Sequence, residues 1–370
     1  MILDRNRVAE LFARALTVAR KAWGNTHPNP MVGALIVEEG RIVAEGCHHA
    51  CGKPHAEVDA LSALAREPTA DAVMFVSLEP CSTHGKTPPC TDAILRSGIK
   101  KIFIATTDPN PMHAGRGLDL LRHAGLEVEL APQEIQAEAE RLNFIFNHNM
   151  RNGSPLIALK MAETSNGMVA REVGLASRVT EEAARNDVMR WRRLFPAICV
   201  ASGTALVDDP SLTSRRAHET WCPLRILVDS TLSTLRMEIS PRKIFVDEFS
   251  NRTVVLTTAK GMRSSERVAR AKQLGIRLLE AEEGQGGGIA PEGLRSAVAE
   301  AGLNAVYCEG GVSFARSLLE FNQVDYLFRY RSPKVFDDEK ALPGPNLGRY
   351  EIKGGIENNL GEDQLLHGFL

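Results

Sequence analysis

Three short stretches must meet in space for this chain to make chemical sense, and that requirement constrains its fold more than any other feature. They are His55-Ala56-Glu57, Pro80-Cys81 and Pro88-Pro89-Cys90. One imidazole and two thiolates fill three positions around a tetrahedral zinc and leave the fourth for water. The metal lowers the pKa of that water, so hydroxide is available near neutral pH. A carboxylate that is not a ligand must then carry protons from the water to a leaving amine, and Glu57 stands where it can do so. A His, a Glu two residues on and two later cysteines, each preceded by proline, are the parts of a zinc hydrolase that deaminates a nitrogen heterocycle.

Local pattern supports the convergence. Residues 56–65 read as a helix, with His55 at its first turn and Glu57 facing the same mouth. Cys90 opens a second helical run over 91–96, and a thiolate at a helix N-terminus is favoured by the dipole and by free backbone N–H groups. Alone, a His-x-Glu is mostly solvated helix surface and a Pro-Cys mostly a buried thiol. It is their order, with a strand-like run before each piece, that points to zinc. Cys47 and Cys51 flank His48 as a second candidate metal site, disfavoured because no fourth ligand presents itself nearby, and Cys199, Cys222 and Cys308 sit in apolar or mixed context and read as packing residues.

The chain has 370 residues, which suggests two domains. Its 44% hydrophobic and 24% charged content is ordinary for a globular protein, and a net charge of −2 gives no basic face for a nucleic acid. Seven scattered cysteines and a start, Met1-Ile2-Leu3-Asp4-Arg5, without a basic region followed by an apolar core lead to the expectation of a reducing cytoplasm. No apolar run approaches the length of a membrane span.

Along the chain, helical spacing over 4–21 precedes strand-like runs at 32–37, 73–78 and 101–106. Helices are expected between and after them at 56–65, 91–96, 117–123 and 134–146. Residues 151–155 read as a linker, which places an α/β domain at 1–150 and a second at 151–370. In the second, strands are expected at 156–160, 197–201, 225–229, 243–246, 253–257, 304–308 and 326–330, and helices at 181–193, 264–274, 291–300 and 312–319. The glycine tract at 284–288 follows acidic residues and opens no helix after a strand, so it reads as a loop and not as a dinucleotide fingerprint. Glu309-Gly310-Gly311 does follow a strand and open a helix, the setting in which backbone can approach a phosphate.

Further motifs lie around the three metal-site stretches: Asn29-Pro30-Met31-Val32-Gly33, Gly46-Cys47-His48, Gly52-Lys53-Pro54, Leu78-Glu79, Gly85-Lys86-Thr87 and Asp108-Pro109-Asn110-Pro111. As an ordered set the first half resembles the deaminase half of the bifunctional riboflavin-biosynthesis enzyme, the diaminohydroxyphosphoribosylaminopyrimidine deaminase / 5-amino-6-(5-phosphoribosylamino)uracil reductase. The long gap between Cys81 and Cys90 fits that family better than the two-residue gap of cytidine and nucleic-acid deaminases. Where the family has a His two places after its first cysteine, this chain has Thr83 followed by His84. The second half is similar to the reductase half of the same family at 159–162, 182–185, 203–204, 208–215, 225–230 and 309–311. It departs at Asn166, where the family carries Asp, and in lacking a Trp near 175–180.

The resemblance implies a cytidine-deaminase-like three-layer α/β/α domain followed by a dihydrofolate-reductase-like α/β domain. It implies zinc on His55, Cys81 and Cys90, with Glu57 as the proton carrier and Asn29 and His48 as contacts to the pyrimidine ring. In the reductase half it implies NADPH lined by Ala162, Thr204, Asp208 and Gly311. The phosphoribosyl substrate would meet Arg192, Leu212, Arg215 and Glu309, with Lys160 as the catalytic polar partner. A guanidinium fork suits a phosphate better than lysine does, which agrees with the two arginines. The expected partner is a small phosphoribosyl pyrimidine, with neither nucleic acid nor membrane, and a homo-oligomer is left open. Two other readings compete with this one: a deaminase whose reductase half is a silent binding or assembly module, prompted by Asn166 and the missing Trp, and a nucleic-acid deaminase, which the charge balance disfavours.

Overall fold

Ala34-Leu35-Ile36-Val37 and Val73-Met74-Phe75-Val76 are uninterrupted apolar runs, the pattern of strands covered on both faces. In the computed structural model of the protein, which describes residues 4–85, 88–216, 219–284 and 286–370, both runs are buried throughout and pair side by side. They belong to the first of two compact units, Met1–Gly153 and Ser154–Leu370.

The first unit carries strands β1 (Gly33–Glu38), β2 (Arg41–Cys47), β3 (Val73–Val76), β4 (Lys101–Ile104) and β5 (Glu127–Leu130). Its helices are α1 (Arg5–Ala19), α2 (Ala56–Leu64), α3 (Cys90–Ser97), α4 (Arg116–His123), α5 (Gln133–Leu142) and α6 (Phe144–Asn152). The sheet order is β2-β1-β3-β4-β5, antiparallel across β2-β1-β3 and parallel from β3 to β5. On one face Ala34, Ile36, Met74, Val76, Ile102 and Ile104 pack against α2, α3 and α4. On the other, Phe12 of α1 meets Phe75 edge-on at 5.2 Å, and Phe75 stacks on Phe103 at 4.6 Å. The result is the three-layer α/β/α arrangement expected of a cytidine-deaminase-like domain.

Two strands had no apolar signal. β2 and β5 are the sheet edges, and their charges (exposed Arg41, Glu127 and Glu129, and half-buried Glu45) break the run that betrays an interior strand. The single helix expected over 134–146 is two, α5 and α6, broken at Asn143, whose backbone leaves the helical region (φ −108, ψ 28). The linker read at 151–155 starts later than expected. Helix α6 continues through Asn152 and stops at Gly153, which turns left-handed with φ 63.

The second unit is built on a nine-stranded sheet. In spatial order its strands are Arg277–Glu280, Thr253–Thr257, Leu224–Val228, Ala197–Ala201, Ala305–Glu309, Leu156–Thr164, Tyr326–Ser332, Asp363–Phe369 and Lys353–Leu360. All pair in parallel up to Tyr326–Ser332; the last two add as an antiparallel hairpin. Helices cover both faces over two apolar clusters, one around Ile157, Leu159 and Val306 and one around Ile198, Leu227 and Val255.

One expected strand is absent. Residues 243–246 form a single helical turn, Lys243–Val246, and its consecutive Ile244 and Phe245 are both buried. The turn closes over the fully buried guanidinium of Arg225, which donates to Ile244 O at 3.0 Å and forks onto Asp247 at 2.6 and 2.8 Å. An apolar pair read as strand core is therefore the lid of a buried ion pair. The terminal hairpin and the helix Ser202–Asp208 were not anticipated either. Gln285 of the glycine tract and Lys86-Thr87 of the motif before Cys90 lie outside the described residues. Among the described residues no helix is long and apolar enough to cross a membrane.

Candidate functional site

The first unit assembles its site at the ends of β2, β3, α2 and α3. Gly46, near the end of β2, lets α2 lie directly on the strand: a Cβ there would stand 2.1 Å from Ala56 O and 2.2 Å from Ala60 N. That close approach fixes the start of α2, where His55 is the N-cap residue in extended geometry. The chain leaving β3 delivers Cys81, and Cys90 is the first residue of α3. The ligand atoms of His55, Cys81 and Cys90 all lie within 4.8 Å of one another. His55 Nδ1 is 3.2 Å from Cys90 Sγ and 3.5 Å from Cys81 Sγ, and the Cys90 N–H donates to Cys81 Sγ at 3.3 Å. Among the described residues no other group of His, Cys, Asp and Glu converges in this way. Cys47 is buried apart, Cys51 is exposed, and both nitrogens of His48 are occupied, so no second metal centre forms around them.

The donor set suits zinc: one imidazole and two thiols on three independent segments, with a side left for a fourth ligand. The electrostatics agree. Without a cation the two thiols share a proton: the hydrogen bond from Cys90 pulls Cys81 down to about 4, and the same partner drives Cys90 upward. Cys81 is thus held as the thiolate and Cys90 keeps its proton until a dication displaces it and takes both sulfurs.

Glu57 is 3% exposed, on the first turn of α2, and its carboxyl is within hydrogen-bonding reach of the Cys90 thiol. Burial pushes it from an ordinary value near 4.5 up to about 7. In the metal-free protein the sign of the linkage follows. Below the ordinary carboxyl value both folded and unfolded chains are protonated. As pH rises the unfolded chain ionises first, so stability is lost up to about pH 7. Metal-free wild type should therefore fall by about 3 kcal/mol relative to metal-free Glu57→Gln between about pH 5 and about pH 8. Urea unfolding across that range checks this; a difference independent of pH would mean that Glu57 is already ionised.

Asn29 and His48 lie together. Asn29 Nδ2 donates to His48 Nε2 at 3.1 Å, and His48 Nδ1 reaches Pro54 O at 3.0 Å, a pattern that fixes one neutral tautomer. Burial pushes His48 down in the same sense. Its ring stands edge-on to His55 with centroids 5.1 Å apart. Thr83 and His84, at the place where the motif departs from the family, are both exposed. One participant went unremarked in the sequence beyond its place in a motif. The buried carboxylate of Glu79 accepts the N–H groups of Asp108 and Gly115 at 3.0 Å and of Gly117 at 2.8 Å, tying the Pro80-Cys81 turn to the start of α4.

In the second unit the residues named from sequence gather at the C-terminal ends of parallel strands, the usual ligand-binding edge of such sheets. Lys160 and Glu309 stand opposite one another in register. Arg192, on the helix Glu182–Leu194, forks onto Glu309 at 2.6 and 2.9 Å and donates to Thr213 O at 2.9 Å. Burial would push Glu309 up; the Arg192 guanidinium outweighs it and holds the carboxyl below its usual range. Lys160 is pushed down by burial, with Glu309 and Asp208 pulling the other way, and its ammonium lies 5.7 Å from the Tyr330 ring centroid. Asp208 and Thr204 share the helix Ser202–Asp208, and Gly311 lies so close to Thr204 that a Cβ there would come 3.3 Å from its Oγ1. Ala162 is one strand position pair further along, opposite Tyr330. Arg215 is exposed and rests on Ser211 Oγ at 2.7 Å. Leu212 is 1% exposed, with its side chain in the core and its backbone left-handed at φ 53.

Asn166 has a clear structural occupation. Its Oδ1 accepts from Thr164 Oγ1 at 2.6 Å and from the Phe336 N–H at 3.3 Å, while its Nδ2 donates to Phe336 O at 3.0 Å. An aspartate could make the first two bonds but not the third. Tyr330 and Trp191 both donate to Asp187 Oδ2, at 2.8 and 2.9 Å, a buried network with no sequence signature.

The cytidine and deoxycytidylate deaminase zinc-binding region matches residues 5–106, and the RibD C-terminal domain matches residues 155–347. The chain is 37% identical to the riboflavin biosynthesis protein RibD of Bacillus amyloliquefaciens, over 86% of this chain and 82% of that one. It is 35% identical to RibD of Aquifex aeolicus, with 95% of each covered. A solved diaminohydroxyphosphoribosylaminopyrimidine deaminase/5-amino-6-(5-phosphoribosylamino)uracil reductase from Thermotoga maritima superposes with a TM-score of 0.81 at 29% identity, covering 98% of both chains. RibD of Acinetobacter baumannii superposes with a TM-score of 0.78 at 27% identity, covering 99% of both.

Proposed function

This chain belongs to the RibD family of bifunctional riboflavin-biosynthesis enzymes, and from that premise we propose which of its residues carry the two reactions. The protein is a deaminase fused to a reductase. The first reaction is hydrolytic deamination of 2,5-diamino-6-(5-phosphoribosylamino)pyrimidin-4(3H)-one. The second reduces the ribosyl side chain to give 5-amino-6-(5-phosphoribitylamino)uracil. The deaminase domain takes in the first compact unit, Met1–Gly153, and the reductase domain the second, Ser154–Leu370.

His55, Cys81 and Cys90 would hold zinc, which when bound supplies the Lewis acidity that makes water nucleophilic near neutral pH. Glu57, buried beside the ligands, takes the proton from that water and returns it to the departing amine. Asn29 and His48 hold the pyrimidine ring so that the carbon bearing the amine faces the ligands, and the substrate's fit excludes bulk water from the buried Glu57. The observation that carries this half is the convergence of one imidazole and two thiols within 4.8 Å beside a buried carboxyl.

In the second unit NADPH would lie along Ala162, Thr204, Asp208 and Gly311 and supply a hydride when bound. The absence of a Cβ at Gly311 gives its phosphates or ribose close access to backbone. Arg215 and Arg192 take the substrate phosphate, with Leu212 beside them, and Glu309 meets the ribose hydroxyls. Lys160, poised by burial against Glu309 and Asp208, donates to the oxygen that gains charge as the opened ribose is reduced. Asn166, bonded on both sides to Phe336, holds a turn in this domain whether or not the family's Asp is present. Seven unpaired cysteines accord with a cytoplasmic enzyme. A homo-oligomer stays within this proposal.

Product mass analysis tests both halves at once. Given the diaminopyrimidine, zinc-loaded protein should stop at the deaminated product without NADPH and proceed to the ribityl product with it. Chelation of zinc should abolish deamination while leaving NADPH-dependent reduction of the deaminated substrate at its original rate. A reaction that halts after deamination even with NADPH would overturn the roles given to the second unit.

A further inference from the structure

The break between α5 and α6 has a specific cause. Asn143 is 5% exposed, and its side chain turns away from the helix to Met31, itself 4% exposed. Asn143 Nδ2 donates to Met31 O at 2.9 Å, and the Met31 N–H donates to Asn143 Oδ1 at 2.8 Å. One amide thus satisfies both backbone groups of a buried residue that lies just before β1 and takes no rung in its ladder. The helix is interrupted for this: the Asn143 N–H bonds back to Glu140 O at 3.2 Å, and α6 restarts with Asn147 N–H on Asn143 O at 2.9 Å.

Met31 is two residues from Asn29. The Asn29 N–H closes a turn onto Thr26 O at 2.8 Å, and the His48 N–H donates to Val32 O at 3.1 Å. Residues 29–32 therefore lie against His48, joined to it by that backbone bond and by the Asn29–His48 side-chain bond. Asn143 grips the same segment from behind. We propose that Asn143 is a positioning residue of the deaminase site, setting Asn29 and through it His48 at the height the pyrimidine ring requires. This assignment rests on the deaminase reading above.

The chemistry selects asparagine. Alanine leaves the N–H and C=O of Met31 unpaired in a buried place. Aspartate keeps the N–H bond but turns an oxygen toward Met31 O, where a donor is needed. Glutamine is longer by a methylene in a packed site.

The test uses the full zinc-loaded chain carrying Asn143→Ala, Asn29→Ala or both. Zinc content, deamination kinetics and NADPH-dependent reduction of the deaminated substrate are measured for each. The expected result is a rise in the deamination KM of Asn143→Ala between about tenfold and a hundredfold, with a smaller change in kcat. Zinc content and reduction should stay at wild-type values. Because Asn143 acts through Asn29, the double variant should be no worse than Asn29→Ala alone. Unchanged deamination in Asn143→Ala, or additive losses in the double variant, would overturn the assignment. If Asn143→Ala loses zinc, Asn143→Asp takes its place in the same cycle under the same criteria, and zinc loss in both would reduce the residue to a fold determinant and overturn the assignment. Wild-type deamination in the same assay reports on the deaminase reading; the variants report on Asn143.

Discussion

Glu57→Gln should release ammonia at least about a hundredfold more slowly than the wild type, and up to about ten-thousandfold, while binding zinc at full stoichiometry. The amide has the shape of the carboxyl and can keep its hydrogen bond toward Cys90, so the three ligands stay in place. What it loses is the ability to take a proton. Burial has raised the Glu57 carboxyl to about 7, so in the metal-free site it exchanges protons near neutrality, as an acid–base carrier must. A cation on the neighbouring thiolates pulls that value down and favours the base form at the start of each cycle. The check is ammonia release alongside zinc content on one preparation, with reduction of the deaminated substrate as the control for an intact chain. Turnover within about tenfold of wild type would remove Glu57 from the proton path.

How far the sequence reveals this architecture depends on where each residue sits. The metal site was legible because it is made of scarce residue types in a fixed order, each next to an element boundary with its own signal: proline before both cysteines, helix starts at Ala56 and Cys90. Interior strands such as β1 and β3 were legible because both faces are buried, so every residue is apolar. Edge strands failed for the converse reason: charges stand among the apolar residues of β2, Arg41 in solvent and Glu45 on Arg14 and Lys21, and so short a mixed run is easily read as loop. The expected strand at 243–246 failed because Ile244 and Phe245 are buried over Arg225, a contact made by residues far apart in the chain. The same holds for Asn143. Nothing nearby signals that its side chain will leave the helix for Met31, and only the folded sheet brings the two together. In the second unit the motif residues were found, but their pairing was not. The sequence marks Arg192 as a phosphate ligand, but nothing in it shows that the guanidinium, 8% exposed, is also locked onto Glu309.

That lock sets the second large effect. Glu309→Ala should destabilise the second unit by about 3–5 kcal/mol, because it leaves the Arg192 guanidinium buried with its fork unpaired. Thr213 O still accepts one N–H at 2.9 Å, but a single carbonyl cannot replace a bidentate carboxylate. The charge balance around Lys160 shifts as well. Burial already holds Lys160 below its ordinary range and Glu309 is the strongest opposing influence, so its removal lowers Lys160 further and depletes the ammonium form. Reduction should fall for both reasons, while deamination, whose residues all lie in the first unit, should persist. Arg192→Met separates the two. Combined with Glu309→Ala it removes the stranded charge and should restore most of the lost stability, yet it cannot restore reduction, since both substrate contacts are gone. Urea unfolding followed by tryptophan fluorescence, to which Trp191 beside the pair contributes, gives the stabilities. If the double variant is no more stable than Glu309→Ala, the penalty does not come from an unpaired Arg192, and the ion pair is not what holds this edge of the sheet together.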